Sequence, residues 1–194
     1  MARLEYLRRH LEPGKVYRRK DLTQWSNAVD RHLGQLIEDG TLQKLSGGLY
    51  YYPENTTFGN VPPKEDILVK SFLKDDRFLL TSPNLYNNLG VGTTQLYNTR
   101  FVYNRKRAGE FTFGNRKFIF RIKPFFPEKL SDEFLLVDLI DNLHLLAEDH
   151  DKVLEKVLAK AVAMDKRKLK YAIEKYGGIK AKNALAKVTY AKTA

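Results

Sequence analysis

Cysteine is absent from the chain, which excludes disulfide bridges, thiolate metal sites and cysteine nucleophiles. Long apolar runs are missing too: no stretch approaches the roughly 20 residues that span a bilayer. The charged N-terminus lacks the apolar region of a signal peptide, so we expect a cytoplasmic protein. The residues that are present, 43% hydrophobic and 12% aromatic, are typical of a folded chain.

The chain contains fewer acidic than basic residues. The chain has 34 lysines and arginines against 23 acidic residues, which gives a formal net charge of +11. Such an excess favours a polyanionic partner, meaning nucleic acid or an acidic protein surface. Composition alone also leaves open a basic protein whose charge serves only solubility.

Motifs for catalysis and metal binding are lacking as well. The run EDHD at 148–151 resembles a set of metal ligands, but adjacent residues on a helix do not converge on one ion. No nucleophile can be paired with a base from the sequence. We therefore expect no catalytic residue, no metal and no cofactor, and a protein that is not an enzyme.

Residues 1–53 carry a regular succession of helix and turn signals. Leucines with helical spacing precede Pro13-Gly14, which ends the first helix. A strand stub and a short second helix follow, and Ser26 is expected to cap a third helix that ends at Gly40. The next residues alternate around Gly47-Gly48, which predicts a hairpin. This order predicts a winged helix-turn-helix, which is a DNA-binding domain.

The third helix is expected to read the DNA bases. At about 100° per residue, the side opposite its apolar stripe carries Asn27, Arg31 and Gln35. Arginine, asparagine and glutamine are suited to bidentate contacts with guanine and adenine edges in the major groove. Gly34 would let the helix approach the duplex closely. Asn27, Arg31 and Gln35 are therefore the predicted base contacts.

Contacts to the DNA backbone are predicted around that helix. Basic residues at the start of the second helix and polar residues of the hairpin would face phosphates, and the helix N-terminus adds a positive dipole. These residues are Arg18, Arg19, Lys20, Ser26, Lys44 and Ser46. Residues 1–63 hold nine basic and seven acidic residues, so charge does not require DNA binding. A protein-docking module without DNA contact is the alternative.

The run 13–53, PGKVYRRKDLTQWSNAVDRHLGQLIEDGTLQKLSGGLYYYP, resembles the N-terminal winged helix of AbiEi-type antitoxins of type IV toxin–antitoxin systems. The positions that match the family pattern are Gly14, Asp21-Leu22, Ser26, Leu33, Leu36, Gly40, Leu42, Lys44 and, most distinctively, Gly48-Leu49-Tyr50. The remainder of the chain matches only in general layout. The resemblance implies that the winged helix represses the protein's own operon. It also implies that the C-terminal domain opposes a nucleotidyltransferase-type toxin, without catalysis.

Residues 54–63 are polar and end in Pro62-Pro63, which predicts a linker before a larger domain over 64–194. Helices are predicted over 65–73 and 84–89, and strands over 78–80, 95–104, 110–113 and 116–123. Residues 64–130 hold 13 basic and 6 acidic residues. The expected secondary basic surface consists of Arg105, Lys106, Arg107, Arg116 and Lys117. It would contact phosphate, or else form a solvated hairpin or dock an acidic partner.

The C-terminal part, from about residue 131, reads as helical. Ser131 is expected to cap an apolar helix with acidic residues in its first turn. Residues 131–151 hold seven acidic residues and no lysine or arginine, whereas 152–194 hold 12 basic and 3 acidic residues. Further helices are predicted beyond residue 152 and over 166–176, and the lysine- and alanine-rich residues from Ile179 on are expected to fray.

Taken together, the patterns predict an α+β protein. It would consist of an N-terminal winged helix-turn-helix and a larger mixed α/β domain with a C-terminal helical part. The expected function is sequence-specific transcription regulation and, by resemblance, that of an antitoxin and autorepressor. Its partners would be double-stranded DNA of its own promoter and, functionally if not by contact, the toxin, with no membrane partner. A nucleic-acid-processing enzyme with a basic cleft and a winged-helix protein–protein adaptor are the alternatives.

Overall fold

The computed structural model describes residues 2–190, and the chain forms two compact units. The first contains the residues up to Phe78 together with Glu110–Phe118, and the second contains Leu79–Gly109 together with the residues from Ile119 onward. The sequence-based boundaries at 53 and 63 do not coincide with this division. Local patterns carry no information on which distant segments pack together.

The first unit begins with three helices and a three-stranded antiparallel sheet. The elements are α1 (Ala2–Arg9), β1 (Val16–Arg18), α2 (Arg19–Leu22), α3 (Val29–Glu38), β2 (Gln43–Ser46) and β3 (Leu49–Tyr51). The strand order is β1-β3-β2. Gly48, in the turn between β2 and β3, has a φ of 74°, a left-handed conformation that favours glycine. The helices and the hairpin predicted over this stretch are confirmed.

A compact apolar cluster holds these elements together. Its members are contributed by all three helices and by the segments around them: Leu7, Leu11, Tyr17, Leu22, Val29, Leu33, Leu36, Leu42 and Tyr50. Each fully buried leucine contributes about 1.5–3 kcal/mol relative to an exposed one. Because α3 supplies three members of this cluster, its apolar side is fixed toward the core and its polar side toward solvent.

A second hairpin occupies the segment for which the sequence predicts a linker. It consists of β4 (Glu54–Thr56) and β5 (Gly59–Val61), which pair antiparallel. The helix α4 (Glu65–Leu73) follows as predicted. The ring centroid of Phe72 lies 4.7 Å from that of Phe111 and 4.8 Å from that of Phe113, so aromatic packing joins α4 to residues 110–118 of the same unit.

The larger sheet has four strands in the order β6-β7-β9-β8. They are β6 (Phe78–Thr81), β7 (Thr99–Asn104), β8 (Gly109–Phe113) and β9 (Arg116–Ile122). A 3-10 helix over Pro83–Leu89 follows β6, and its cap Ser82 accepts a hydrogen bond from the Asn84 N–H at 3.2 Å. The strand predicted over 95–104 begins only at Thr99. The other predicted strands are confirmed.

Helices complete the second unit. They are α5 (Asp132–Asn142), a short 3-10 turn (Leu143–Leu145), α6 (His150–Ala163), α7 (Lys166–Tyr176) and α8 (Ile179–Tyr190). Ser131 caps α5 as predicted, since its hydroxyl accepts from the Phe134 N–H at 3.2 Å.

The prediction that residues from Ile179 on fray is wrong for 179–190, which form α8. Ala181 and Leu185 are fully buried, and the Asp141 carboxylate accepts from the N–H groups of Gly178 at 2.6 Å and Ala181 at 3.1 Å. Tertiary burial and a capping carboxylate from α5 stabilise a helix whose own sequence is only marginally helical. The remaining predicted positions, 191–194, lie outside the described residues.

Helices and strands occupy largely separate stretches of the chain, so the fold class is α+β, as predicted at that level. Over residues 2–190, no helix combines the length and the apolar character that crossing a bilayer requires.

Candidate nucleic-acid interface

The exposed side of α3 is the candidate recognition surface. Val29, Leu33 and Leu36 are buried, whereas Arg31 and Gln35 are exposed on the other side of the helix. A Cβ atom added at Gly34 would meet nothing within 4 Å, so this position is open to solvent. Glu38 also lies on this side, one turn beyond Gly34 and Gln35, and is exposed.

The start of α3 differs from the prediction. The helix begins at Val29 with Ala28 as the N-cap, and no side chain caps it, so the assignment of Ser26 as N-cap is wrong. Instead, Ser26 is buried and its hydroxyl lies 2.7 Å from His32 Nδ1. Because this hydroxyl is engaged inside the unit, it is not presented to a phosphate. Asn27 is exposed but lies in the turn before α3, not on the helix face.

His32 and Ser26 form a buried polar pair behind the recognition surface. Burial lowers the pKa of His32, and the neighbouring Arg31 guanidinium lowers it further. Ser26 Oγ also accepts from the Ala28 N–H at 3.2 Å. The pair therefore links the turn before α3 to the second turn of the helix and holds the backbone that carries Asn27 and Arg31.

We expect Ser26→Ala to lower the free energy of unfolding by about 1–3 kcal/mol, because His32 Nδ1 is left buried without its partner. Chemical denaturation followed by circular dichroism measures the change. The matched control is Thr23→Ala, which removes an exposed hydroxyl from the same turn region and should cost less than about 1 kcal/mol. Equal losses for the two variants would contradict a structural role for the Ser26–His32 pair.

Two of the predicted phosphate-binding arginines are paired with carboxylates. Arg18 donates to Asp21 at 2.7 and 3.0 Å, and Arg19 donates to Asp30 at 2.6 and 2.5 Å. The Arg19 hydrogen bond holds the pKa of Asp30 below its usual value. Because each carboxylate already neutralises one of these cations, a phosphate contact gains less from Arg18 and Arg19 than from an unpaired cation.

The lysines of the predicted set are differently placed. Lys20 and Lys44 are exposed, and neither forms an ion pair or side-chain hydrogen bond with another described residue. The same holds for the guanidinium of Arg31 within residues 2–190. Lys20, Arg31 and Lys44 are thus the cations of the predicted set whose charge is uncompensated by a protein carboxylate.

Arg19 brings the start of α2, the start of α3 and the β2–β3 turn together. Its side chain binds Asp30 in the first turn of α3, and its backbone N–H donates to the Gly48 carbonyl at 2.9 Å. Ser46 borders this turn. Lys44 lies within β2 opposite Tyr50 and not at the tip of the hairpin. The structure therefore assembles most of the predicted contacts on neighbouring segments, with Lys44 set back along the strand.

At the C-terminal end of α3, the carboxylate of Asp39 is paired with Arg8. Asp39 accepts from Arg8 Nη2 at 2.5 Å and from the Thr41 N–H at 2.9 Å. The Thr41 hydrogen bonds are the leading cause that lowers the pKa of Asp39, with Arg8 adding to them. Sequence reasoning did not identify this pair, because Arg8 and Asp39 are far apart in the chain.

The predicted secondary basic surface does not belong to one unit. Arg116 and Lys117 lie in the first unit, where they pair with Glu65 and Glu110, each at 2.7 Å. Arg105, Lys106 and Arg107 lie in the second unit, in the loop that follows β7. These five residues are thus divided between the two units, and a single basic surface formed by all of them stays a prediction.

A cavity of about 290 Å³ lies in the first unit, beside β2 and β5. Its lining is largely apolar and includes Leu45, Val61, Leu68 and Phe113, with Arg116 at its wall. Since four separate segments contribute to it, no local sequence pattern could have predicted it.

The second unit contains a buried polar network around Asp138, which sequence reasoning also missed. Asp138 is 1% exposed and accepts from Tyr86 at 2.7 Å and from Tyr103 at 2.5 Å, and Lys123 Nζ lies 3.5 Å away. The Asn142 amide donates to both tyrosine oxygens at 3.0 Å. Burial raises the pKa of Asp138. The signal in the sequence was a carboxylate within the apolar run 134–140 of this helix.

In the acidic run at 148–151, one carboxylate caps α6 and another accepts hydrogen bonds from the loop before β7. Asp149 caps α6 by accepting from the Lys152 N–H, and Glu148 accepts from the N–H groups of Thr94 and Gln95 and from the Tyr97 hydroxyl. Among the described residues, no group of three or more His, Asp and Glu side chains is placed to hold a metal ion.

Comparisons with known proteins bear on the fold. No protein-family model matches the chain, and no curated protein matches it. Among solved structures, the chain is similar to the RV2827C protein from Mycobacterium tuberculosis, with a TM-score of 0.59 and 14% sequence identity. The similarity covers 96% of this chain and 74% of that protein. At this identity the likeness concerns the fold alone.

Proposed function

We propose that the first unit contains a winged helix-turn-helix that reads double-stranded DNA, and that the protein is a sequence-specific transcription regulator. The observation that carries the proposal is the combination of α2 and α3 with the β2–β3 hairpin, in a sheet ordered β1-β3-β2. In such domains the second helix of the pair enters the major groove. The burial of one side of α3 and the exposure of the other support this role.

Within the proposal, Arg31 and Gln35 contact base edges, and Asn27 contacts DNA from the turn before the helix. Lys20 and Lys44 contact backbone phosphates, because their charges are uncompensated by carboxylates of the described chain. Arg18 and Arg19 take the same role with a smaller electrostatic gain, because Asp21 and Asp30 already pair with them. Ser46, beside the turn, is kept as a backbone contact. Ser26 is not part of the proposal, because its hydroxyl is buried.

The resemblance to AbiEi-type antitoxins supports a narrower proposal. The protein would act in the cytoplasm, repress its own promoter and oppose a nucleotidyltransferase-type toxin. The second unit would carry the antitoxin role, and no catalytic step is part of the proposal. A nucleotidyltransferase reading frame adjacent to this gene would support it, and its absence would remove the toxin from the proposal while leaving DNA binding in place.

Gly34 offers the direct test of DNA reading by α3. We expect the wild type to bind a duplex from upstream of its own gene at least about 10³-fold more tightly than a scrambled duplex. Gly34→Leu should remove at least about tenfold of the specific affinity, because a bulky side chain would stand between the helix and the groove. Fluorescence anisotropy with labelled duplexes measures both.

Gly34→Ala is the control for folding. Since a Cβ atom there meets no neighbour and the glycine lies within a helix, alanine should stabilise the protein by about 0.5–1 kcal/mol. Equal affinity of the wild type for the two duplexes, or unchanged specific binding by Gly34→Leu, would overturn the assignment of α3 as the recognition helix.

A further inference from the structure

A loop of three consecutive cations is held rigidly in the second unit. Asn104, which is 1% exposed, accepts from the N–H groups of Lys106 at 2.8 Å and Arg107 at 2.7 Å, and its amide donates to the Arg107 carbonyl at 2.9 Å. Its backbone carbonyl accepts from the Lys123 N–H at 2.9 Å. The loop 105–107 is therefore fixed beside the segment that leaves β9.

Aromatic rings of that segment lie against cations. Lys175 Nζ, from α7, lies 3.9 Å from the centre of the Phe125 ring, and the Arg105 guanidinium lies 5.9 Å from the centre of the Phe126 ring. Phe125 is 47% exposed even though Lys175 covers part of it. An accessible aromatic ring thus lies against a lysine, and the next ring along the chain lies against an arginine, which is an arrangement that apolar packing alone does not explain.

The helix α7 extends the same arrangement. Lys168, Tyr171 and Lys175 follow one another at positions i, i+3 and i+7, so they lie on one side of the helix over a rise of about 10 Å. Tyr171 is 57% exposed, and its ring centre lies 5.8 Å from that of Tyr176 in an edge-on contact that fixes its orientation. Glu174, which is the acidic residue of α7, lies 3.8 Å from Lys170.

We propose that the surface formed by Arg105, Phe125, Lys168, Tyr171 and Lys175 binds single-stranded nucleic acid, with its cations on the phosphates and its two exposed rings stacked on bases. Bases of a single strand present their faces to such rings, whereas those of a duplex are already stacked. The basic residues alone would suit any polyanion, and the accessible rings favour a ligand with aromatic bases. This site is separate from α3 and does not depend on the function proposed for it.

The test uses the full chain and labelled single strands of about 12 nucleotides, oligouridine and oligothymidine, with a duplex of equal length. Fluorescence anisotropy should detect binding of the single strands at low salt. We expect Phe125→Ala and Tyr171→Ala each to weaken it about 5- to 150-fold, with little change for the duplex. Tyr171→Phe should retain binding, because the ring is kept. The RNA and DNA arms decide which single strand is preferred.

Two matched controls separate this site from generic effects. Phe58→Ala removes a fully exposed phenylalanine of the first unit and should leave single-strand binding unchanged. Lys175→Gln should weaken binding and lower its salt dependence. Lys170→Gln should have smaller effects on both, because the charge of Lys170 is already compensated by Glu174. Circular dichroism and thermal unfolding establish that each variant is folded.

Several results would overturn the proposal. One is equal binding by Phe125→Ala, Tyr171→Ala and Phe58→Ala. Another is an absence of single-strand binding at low salt. A third is complete displacement of the labelled single strand by polyglutamate, together with unchanged binding after either ring is removed. That result would assign the surface to an acidic protein. Because duplex reading is tested separately through α3, failure here leaves that proposal unaffected.

Discussion

Asp138→Ala should lower the free energy of unfolding by about 3–5 kcal/mol. The carboxylate lies within α5 and accepts hydrogen bonds from Tyr86 and Tyr103, with Lys123 Nζ at 3.5 Å. Removing it leaves two buried hydroxyl groups without their acceptor and a lysine without its counter-ion. Chemical denaturation followed by near-ultraviolet circular dichroism, which reports on the tyrosines, measures the loss.

The control for Asp138 lies on the same helix. Asp132 is exposed in the first turn of α5, so Asp132→Ala should cost less than about 1 kcal/mol.

The pH dependence of stability gives a second check on Asp138. Because burial raises the pKa of Asp138, its protonation favours the folded state at acid pH, and this contribution is lost as pH rises through the folded pKa. The wild-type advantage over Asp138→Ala should therefore shrink with rising pH. A pH-independent difference would contradict the raised pKa of Asp138, and a loss below about 1 kcal/mol would contradict the network.

Arg31→Ala should weaken binding to the proposed specific duplex by about 1–3 kcal/mol and change binding to random duplex little. The guanidinium is exposed and makes no hydrogen bond or ion pair with the described chain, so its removal should leave the fold intact. The loss would arise from a bidentate contact with a base edge, which discriminates between sequences. Anisotropy titrations with the two duplexes, at one fixed salt concentration, measure the difference.

Two further variants show whether the effect of Arg31 is sequence reading. Lys44→Ala should weaken binding to both duplexes alike and reduce the salt slope by about 1, because a phosphate contact carries no sequence information. Arg9→Ala removes an exposed arginine of α1, outside α3 and the hairpin. It should alter neither the affinity for the two duplexes nor the salt slope. If Arg31→Ala and Arg9→Ala bind the specific duplex equally, the recognition surface is misassigned.

Local chemistry accounts for the features that could be predicted from the sequence. Apolar spacing placed α1, α4, α5 and α7, and Gly47-Gly48 placed the β2–β3 turn, because these signals act over a few residues. The start of α3 was predicted two residues early, with the cap at Ser26 and not at Ala28. Ser26 is a good cap by residue type, but its hydroxyl is occupied by buried His32, which no local rule anticipates.

For the candidate recognition site, the sequence by itself determined the residue types on α3 and which side of the helix faces solvent, because helical periodicity separates the apolar from the polar side. Only the tertiary structure decided which charges remain available. It pairs Arg19 with Asp30 and Arg8 with Asp39, and it leaves Arg31 without a carboxylate among the described residues.

The same division holds for the rest of the chain. The sequence determined that the protein is basic, free of cysteine and of α+β class, since these follow from composition and local pattern. Only the tertiary structure assembled the network around Asp138, divided the basic surface between two units and placed Phe125 beside Lys175. Electrostatic pairing and ring contacts depend on distances between residues far apart in the chain, and folding alone sets those distances.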